Sequence, residues 1–136
     1  MLISALPKRT VRAEFERVFT EVGKQRPDGI VVSAEGELWA NRQQITELVN
    51  HTRLPAIYAW REYVEAGGLI SYASDLTDSF RRMAEKVAEV LDGANPADIP
   101  IEQATKFNLA LNLKTAKQIG INIPLSLLAR ADEVIE

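Results

Sequence analysis

Aromatic, charged and hydroxyl side chains are concentrated in three short stretches of the sequence, in a combination that suits the binding of a small polar molecule. The stretches are SAEGELW, AWRE and SYASD. Aromatic rings supply stacking surface, and an arginine can hold a carboxylate through two parallel hydrogen bonds. The predicted ligand-binding residues are Ser33, Glu35, Trp39, Trp60, Arg61, Tyr72, Ser74 and Asp75.

A purely structural interpretation of the same residues stays open. Trp39 and Trp60 could pack helix against sheet, with their indole N–H groups bonded to nearby carbonyls. Arg61 could be a surface residue paired with Glu62 or Glu65, an arrangement that contributes little to stability. Residue types alone therefore suggest a site without defining its ligand.

Enzymatic chemistry has few possible participants in this chain. The sequence has no cysteine and a single histidine, His51, so most catalytic triads and zinc sites lack parts. Neither the Walker spacing nor the dinucleotide-binding fingerprint occurs. We predict a protein that is not an enzyme, with no cofactor and no metal.

Length and charge limit the class of protein further. The chain has 136 residues, of which 46% are apolar and 26% charged, as in an ordinary globular domain. Sixteen basic residues oppose nineteen acidic ones, giving a formal net charge of -3, and neither sign forms a block that would hold a phosphate backbone. We predict one domain over residues 1–136 and no nucleic-acid partner.

Short apolar runs alternate with amphipathic segments along the chain, a pattern typical of β-α units around a parallel sheet. The predicted class is α/β, with a mostly parallel sheet of about five strands flanked by helices. The strands are predicted at 2–6, DGIVVSA, PAIYAW, LISYAS and KFNLALN. The last of these alternates apolar and polar residues, which predicts an edge strand.

Capping residues and prolines place the helices between these strands. Helices are predicted after Thr10 and before Pro27, around residues 38–49, and from the cap Asp75 to Gly93. The turn-forming segment ANPADIP predicts a connector. Two short helices follow in LKTAKQIG and in LSLLARADEVIE, the second capped by Ser126.

Three long motifs carry a resemblance to a known family. They are LPAIYAWREYVEAGGLISYASD, GANPADIPIEQATKFNLALNLKTAKQIG and IPLSLLARADEVIE. With them, the chain resembles the C-terminal part of ABC-transporter substrate-binding proteins of the type that includes tryptophan- and other amino-acid-binding lipoproteins. The resemblance implies a type I periplasmic-binding-protein fold, in which two α/β lobes joined by crossing segments close on a ligand.

The resemblance also implies a function and a location. It implies that the chain binds an amino-acid-like small molecule without transforming it and works with an ABC permease. It places hinge-like crossings near residues 66–68 and 93–105, with glycines that allow bending. It implies a periplasmic protein, although residues 1–15 lack the apolar core of an export signal, so the chain as written would be cytoplasmic.

A second hypothesis concerns self-association. In two-lobed relatives, the resemblance implies that residues 69–92 would pack on strands that this chain does not supply. The apolar stripe from Phe80 to Val90 would then lack its partner. We therefore predict a homodimer, and the alternative to ligand binding is a self-associating structural module.

Overall fold

The chain folds into an α/β structure with a six-stranded, mostly parallel sheet. The computed structural model describes residues 2–3, 11–25 and 27–136. The strands are β1 (Leu2–Ile3), β2 (Ile30–Val32), β3 (Ala56–Tyr58), β4 (Ile70–Ser74), β5 (Phe107–Asn112) and β6 (Glu133–Ile135). They lie side by side in chain order, and every pair is parallel except β4 with β5.

Seven α-helices are described. They are α1 (Val11–Gln25), α2 (Gly36–Ala40), α3 (Arg42–Thr52), α4 (Arg61–Glu65), α5 (Leu76–Leu91), α6 (Leu113–Ile119) and α7 (Leu125–Leu128), and a short 3-10 helix spans Pro96–Asp98. The predicted α/β class and mostly parallel sheet are confirmed. The predicted cap Thr10 and the rest of the predicted first strand, 4–6, lie outside the described residues.

The helices that follow β1, β2 and β3 lie together on one face of the sheet. Each of these parallel connections moves one strand further in the same direction, and right-handed crossovers then place their helices on the same face. Accordingly, α1 packs against α3 and α3 against α4. This layer and the inward side chains of β2 and β3 form the main core, which includes Phe15, Ile30, Ile45, Tyr58 and Tyr63.

The prediction for the end of the chain is wrong in two respects. Residues 107–112 do not form an edge strand, because β5 is paired on one side with β4 and on the other with β6. The helix predicted from Ser126 to the end is only α7, which begins after Pro124, and β6 follows it. Asp132 ends the turn before β6 by accepting a hydrogen bond from Leu109 N at 2.8 Å.

The helix predicted around 38–49 is divided into α2 and α3 at Asn41. The Asn41 backbone leaves helical geometry at φ −106° and ψ 20°, and its side-chain amide donates to Glu37 O at 2.8 Å. Such a local side-chain bond competes with the helix and favours a break. The break sets the direction of α3, which packs on α1 and α4.

Two tyrosines and a glycine form a tight contact beneath β4. The rings of Tyr58 and Tyr63 stack with their centroids 5.0 Å apart, and both are almost fully buried. Gly68 packs so closely that an added Cβ would lie 2.7 Å from the Tyr58 ring and 2.8 Å from Tyr63 O. Neither tyrosine hydroxyl has a hydrogen-bond partner among the described residues.

Candidate functional site

A cleft of about 480 Å³ lies at the edge of the sheet where β3 and β4 end. Because β5 is antiparallel to β4, the amino-terminal ends of β5 and β6 meet the carboxyl-terminal ends of β3 and β4 here. Ligand sites of open α/β sheets form outside strand ends of this kind. The cleft is lined by Trp60, Arg61, Glu62, Ala73, Ser74, Asp75, Leu76, Thr77, Asn108, Leu109, Ala110, Asp132 and Glu133.

Four of the predicted site residues meet in this cleft. Trp60 precedes α4, and Arg61 is the first residue of that helix. Ser74 ends β4, and Asp75 precedes α5. The parallel pairing of β3 with β4 brings these two strand ends to the same edge, so residues distant in sequence share one wall.

The Arg61 guanidinium is held by two carboxylates. Its Nε and Nη2 donate to the two oxygens of Glu133, the second at 3.0 Å, and Nη2 also lies 3.0 Å from Oε1 of Glu65. The hydrogen bonds and charge of Glu133 raise the pKa of Arg61 further above its ordinary value. The same hydrogen bonds lower the pKa of Glu133. The surface pairing of Arg61 with Glu65 that residue types suggested is therefore present, together with a partner on β6.

Asp75 has a structural task in addition to lining the cleft. Its carboxylate accepts a hydrogen bond from Asp78 N at 3.0 Å, which caps α5, and lies 3.0 Å from Lys106 Nζ. The bond from Asp78 N, followed by that from Lys106, lowers the pKa of Asp75. The predicted cap of α5 is confirmed, and the Asp75 carboxylate stays charged at neutral pH.

The two tryptophans lie next to each other. Trp60 is half-buried against the main core, and its ring meets that of Trp39 edge-on at a centroid distance of 6.3 Å. The guanidinium of Arg42 lies 4.7 Å from the centre of the Trp39 ring. Trp60 thus contributes to packing and also to the cleft wall, whereas Trp39 does not line the cleft.

Ser33, Glu35 and Tyr72 do not line this cleft. Ser33 follows β2, and Glu35 is the exposed residue before α2, so both lie at the same edge of the sheet but beyond β3. Tyr72 is exposed on β4 and stacks on Phe107 of β5 with ring centroids 5.5 Å apart. Their role in ligand binding stays a prediction.

Sequence reasoning missed the wall that β5 and β6 contribute. Asn108, Asp132 and Glu133 line the cleft. The signal was the β-branched pair Val134 and Ile135, which follows a turn and is typical of a strand. Because this segment was predicted to be a helix, none of its side chains was expected near Arg61.

The cleft carries an excess of negative charge. Glu62, Asp75, Asp132 and Glu133 line it together with the single cation Arg61. No cluster of potential metal ligands occurs among the described residues, and His51 lines a separate apolar groove between α1 and α3. None of the helices described is long and apolar enough to cross a bilayer.

The match to a family model identifies the chain's relatives. The model described as ABC transporter substrate binding protein matches residues 10–135. The chain belongs to this family, which confirms the resemblance carried by its motifs. No curated protein sequence matches the chain.

Solved structures with the same fold include members bound to a ligand and free of one. A conserved domain protein from Vibrio cholerae O1 biovar El Tor is 25% identical, with a TM-score of 0.81 over 90% of this chain and 41% of that one. The ABC domain from Streptococcus pneumoniae in complex with L-Trp is 27% identical, with a TM-score of 0.80 over 91% of this chain and 43% of that one. A ligand-free, open substrate-binding protein with adhesive properties from Clostridium difficile is 16% identical, with a TM-score of 0.65, and shares the fold. The chain spans less than half the length of these structures.

Proposed function

We propose that this chain provides part of the binding cleft of an ABC-transporter solute-binding protein. Its ligand is a small zwitterion such as an amino acid, bound without chemical change. The observation that carries this proposal is that Trp60 and Arg61 line the same cleft, which also carries carboxylates. A cation, an aromatic surface and an acceptor are what the carboxylate, side chain and ammonium group of an amino acid require.

Within the cleft, the ligand carboxylate binds Arg61. Two of the guanidinium nitrogens are engaged by Glu133 and Glu65, so the ligand bonds the remaining Nη1 or displaces Glu133. Glu62 lies next to Arg61 at the start of α4 and supplies a negative charge for the ammonium group. Ser74 offers a hydroxyl at the end of β4.

The opposite wall of the cleft comes from a second lobe. The structural relatives are more than twice as long as the matched region, and the Streptococcus pneumoniae structure holds L-Trp. Residues 1–136 then act as one domain, with crossings near 66–68 and 93–105. Work with an ABC permease and a location outside the cytoplasm follow from the family and belong to this proposal.

The test is a ligand-induced melting shift combined with calorimetry. Three probes separate the contributions: L-tryptophan, tryptamine, which lacks the carboxylate, and indole-3-propionate, which lacks the ammonium group. A ligand that binds only the folded state raises its melting temperature. We expect L-tryptophan to give the largest shift of the three.

Arg61→Ala should weaken L-tryptophan binding at least tenfold, because hydrogen bonds to charged groups contribute roughly 1.5–3 kcal/mol. The variant should leave the weak response to tryptamine unchanged. Arg17→Ala removes an arginine on α1 that is more exposed than Arg61 and does not line the cleft, and it should have no effect. Equal L-tryptophan affinity in the Arg61 and Arg17 variants would remove Arg61 from the site.

One observation favours a second candidate, a self-associating structural module. The helix α5 has no buried residue, although its sequence is strongly amphipathic. A chain that dimerises but shows no melting shift with any of the three probes would support this candidate over ligand binding.

A further inference from the structure

The ion pair between Arg61 and Glu133 occupies the edge of the guanidinium that a ligand carboxylate would use. Glu133 binds with both carboxylate oxygens, one on Nε and the other on Nη2 at 3.0 Å. An arginine holds a free carboxylate through the same kind of paired, parallel hydrogen bonds. Before a ligand binds, the Glu133 side chain therefore fills the place of the ligand carboxylate.

The other carboxylates that line the cleft are engaged elsewhere or act on Arg61 more weakly. Asp75 and Asp132 each accept a hydrogen bond from a backbone N–H. Glu133 and Glu62 both raise the pKa of Arg61, but Glu133 is the largest cause and Glu62 the smallest. A ligand that binds Arg61 therefore meets Glu133 before it meets the other carboxylates.

The backbones that carry the two side chains are well anchored, so the ion pair can open by side-chain movement alone. Glu133 is the first residue of β6 and is paired in register with Ala110 of β5. Arg61 is the first residue of α4, in which Tyr63 and Val64 are buried. The side chains of Arg61 and Glu133 are 51% and 35% exposed, and ion pairs with such access to water contribute little to stability. Opening this pair therefore leaves the fold intact.

We propose that a zwitterionic ligand inserts between Arg61 and Glu133, so that its carboxylate binds Arg61 and its ammonium group binds Glu133. This inference rests on the proposed function and adds to it a residue that determines specificity, Glu133. In an α-amino acid the two charged groups are attached to one carbon atom, so they can reach two side chains that were in contact with each other. One ion pair is exchanged for two, and each of the four charges has a partner.

This exchange distinguishes ligands by their charge. A simple carboxylate on Arg61 would leave Glu133 without a cation, in a cleft that also contains Glu62, Asp75 and Asp132. Like charges that are brought together in this way disfavour binding. A zwitterion brings the missing cation with it. Specificity then comes from a penalty on the wrong ligand as well as from contacts with the right one.

Titration calorimetry with L-tryptophan and indole-3-propionate tests the exchange, because the two probes differ in the ammonium group. The quantity to follow is the ratio of their dissociation constants. Glu133→Gln keeps the size of the side chain and removes its charge. We expect this variant to reduce the preference for L-tryptophan about tenfold, since a hydrogen bond between charged groups is lost. Indole-3-propionate should bind more tightly than before, because Arg61 no longer has to release Glu133.

Glu65→Gln is the matched control for this variant. Glu65 also contacts Arg61, 3.0 Å from Nη2, but it does not line the cleft. Its replacement should change the affinities for both probes by the same factor and leave their ratio as it was. Each variant keeps one carboxylate on Arg61, so the guanidinium stays anchored in both. Circular dichroism and melting curves show that each variant is folded.

A measurement on the unaltered chain identifies the residue that receives the ammonium group. Isotope-labelled L-tryptophan should show a nuclear Overhauser contact between its Cα hydrogen and the Glu133 side chain. A contact with Glu62 in place of Glu133 would overturn the assignment. This measurement does not depend on the folding of any variant.

The calorimetric results separate the exchange from simpler roles of Glu133. Equal weakening of both probes by Glu133→Gln would mean that Glu133 only positions Arg61, and equal strengthening would mean that it only competes with the ligand. Either result would overturn the exchange but leave the proposed function in place, provided that Arg61→Ala still weakens L-tryptophan binding. If neither probe bound the unaltered chain, the proposed function and the exchange would both be wrong.

Discussion

Arg61 illustrates how far a single residue can be interpreted from its neighbours in sequence. Its position after a strand predicted a place at the cleft, and the nearby Glu65 predicted an ion pair; both are present. Its strongest partner, Glu133, lies 72 residues away and is brought close only by the pairing of β5 with β6. Pairing between distant strands leaves no local trace in sequence, and so this half of the site could not be predicted.

Gly68 is constrained by packing, whereas its neighbour Gly67 is the glycine that adopts a positive φ. A Cβ at Gly68 would lie 2.7 Å from the Tyr58 ring and 2.8 Å from a backbone carbonyl, neither of which can move freely. We expect Gly68→Ala to destabilise the protein by about 1–3 kcal/mol, as overpacked cores do. Urea unfolding followed by circular dichroism measures the change.

Gly23→Ala is the matched control for this substitution. Nothing lies within 4 Å of a Cβ at Gly23, which is in α1. Alanine should stabilise that helix by about 0.5–1 kcal/mol relative to glycine. A loss of stability in both variants would show that the tyrosine contact is not the cause.

The Tyr58 and Tyr63 hydroxyls predict an unusual response to alkaline pH. Burial raises the pKa of Tyr63 to about 12 and raises that of Tyr58 further. Since the folded state holds these protons more tightly than the unfolded state, whose tyrosines titrate near pH 10, their contribution is complete below about pH 10. It should be lost as the pH rises toward 12.

Tyr58→Phe with Tyr63→Phe removes both ionisable groups and both unpaired hydroxyls. We expect the double variant to be as stable as the wild type at pH 7, or more stable by about 1–3 kcal/mol, because a buried donor without a partner carries a desolvation cost. It should also lose less stability between pH 10 and 12. Melting temperatures across this range decide the matter, and parallel curves for the two proteins would contradict the assignment.

At the scale of elements, Asn112 connects β5 to two neighbours. It is buried, its Oδ1 accepts from Thr115 N at 2.9 Å to cap α6, and its Nδ2 donates to Val64 O at 3.1 Å. Asn112→Ala removes the side-chain partner of the buried Thr115 N–H and one of the two hydrogen bonds that Val64 O accepts, the other coming from Gly67 N at 3.1 Å. We expect a loss of about 2–4 kcal/mol in the free energy of unfolding.

Asn95 provides the comparison for this cap. It accepts from Ala97 N at 3.2 Å at the start of the exposed 3-10 helix, where water can replace the bond. Asn95→Ala should therefore cost less than about 1 kcal/mol. Chemical denaturation of both variants gives the two values, and similar losses would show that burial of the Asn112 cap has no special effect.

The accuracy of the element predictions depended on the kind of signal. β2, β3 and β4 coincide with the short apolar runs IVV, AIY and ISYAS, and α5 follows its cap Asp75. The alternation in KFNLALN misled, because Leu109, Ala110, Leu111 and Asn112 are all buried between two neighbouring strands. An alternation of apolar and polar residues therefore predicts a half-exposed strand correctly only where the polar residues do reach solvent.

In the molecule as a whole, the strands lie in the sheet in the same order as they follow along the chain. The sequence predicted the α/β class but not this order. The one reversal, between β4 and β5, decides where the cleft lies, because it brings the ends of four strands together. A parallel β4–β5 pair would have carried Asn108 and Glu133 toward the opposite edge. This reversal depends on the path of the chain between residues 75 and 106, which no local pattern specifies.

The segment 75–106 leaves the sheet after Ser74 and returns to it at Phe107, and these two residues are paired with each other in the sheet. The ladder between β4 and β5 would be complete even if α5 and the segment after it were unravelled. Unfolding of residues 75–106 therefore removes no backbone hydrogen bond from the β4–β5 ladder. This segment and the sheet can then unfold at different temperatures. We therefore expect the chain to unfold in two steps, first residues 75–106 and then the sheet. A single cooperative transition would require contacts that couple the stability of this segment to that of the sheet.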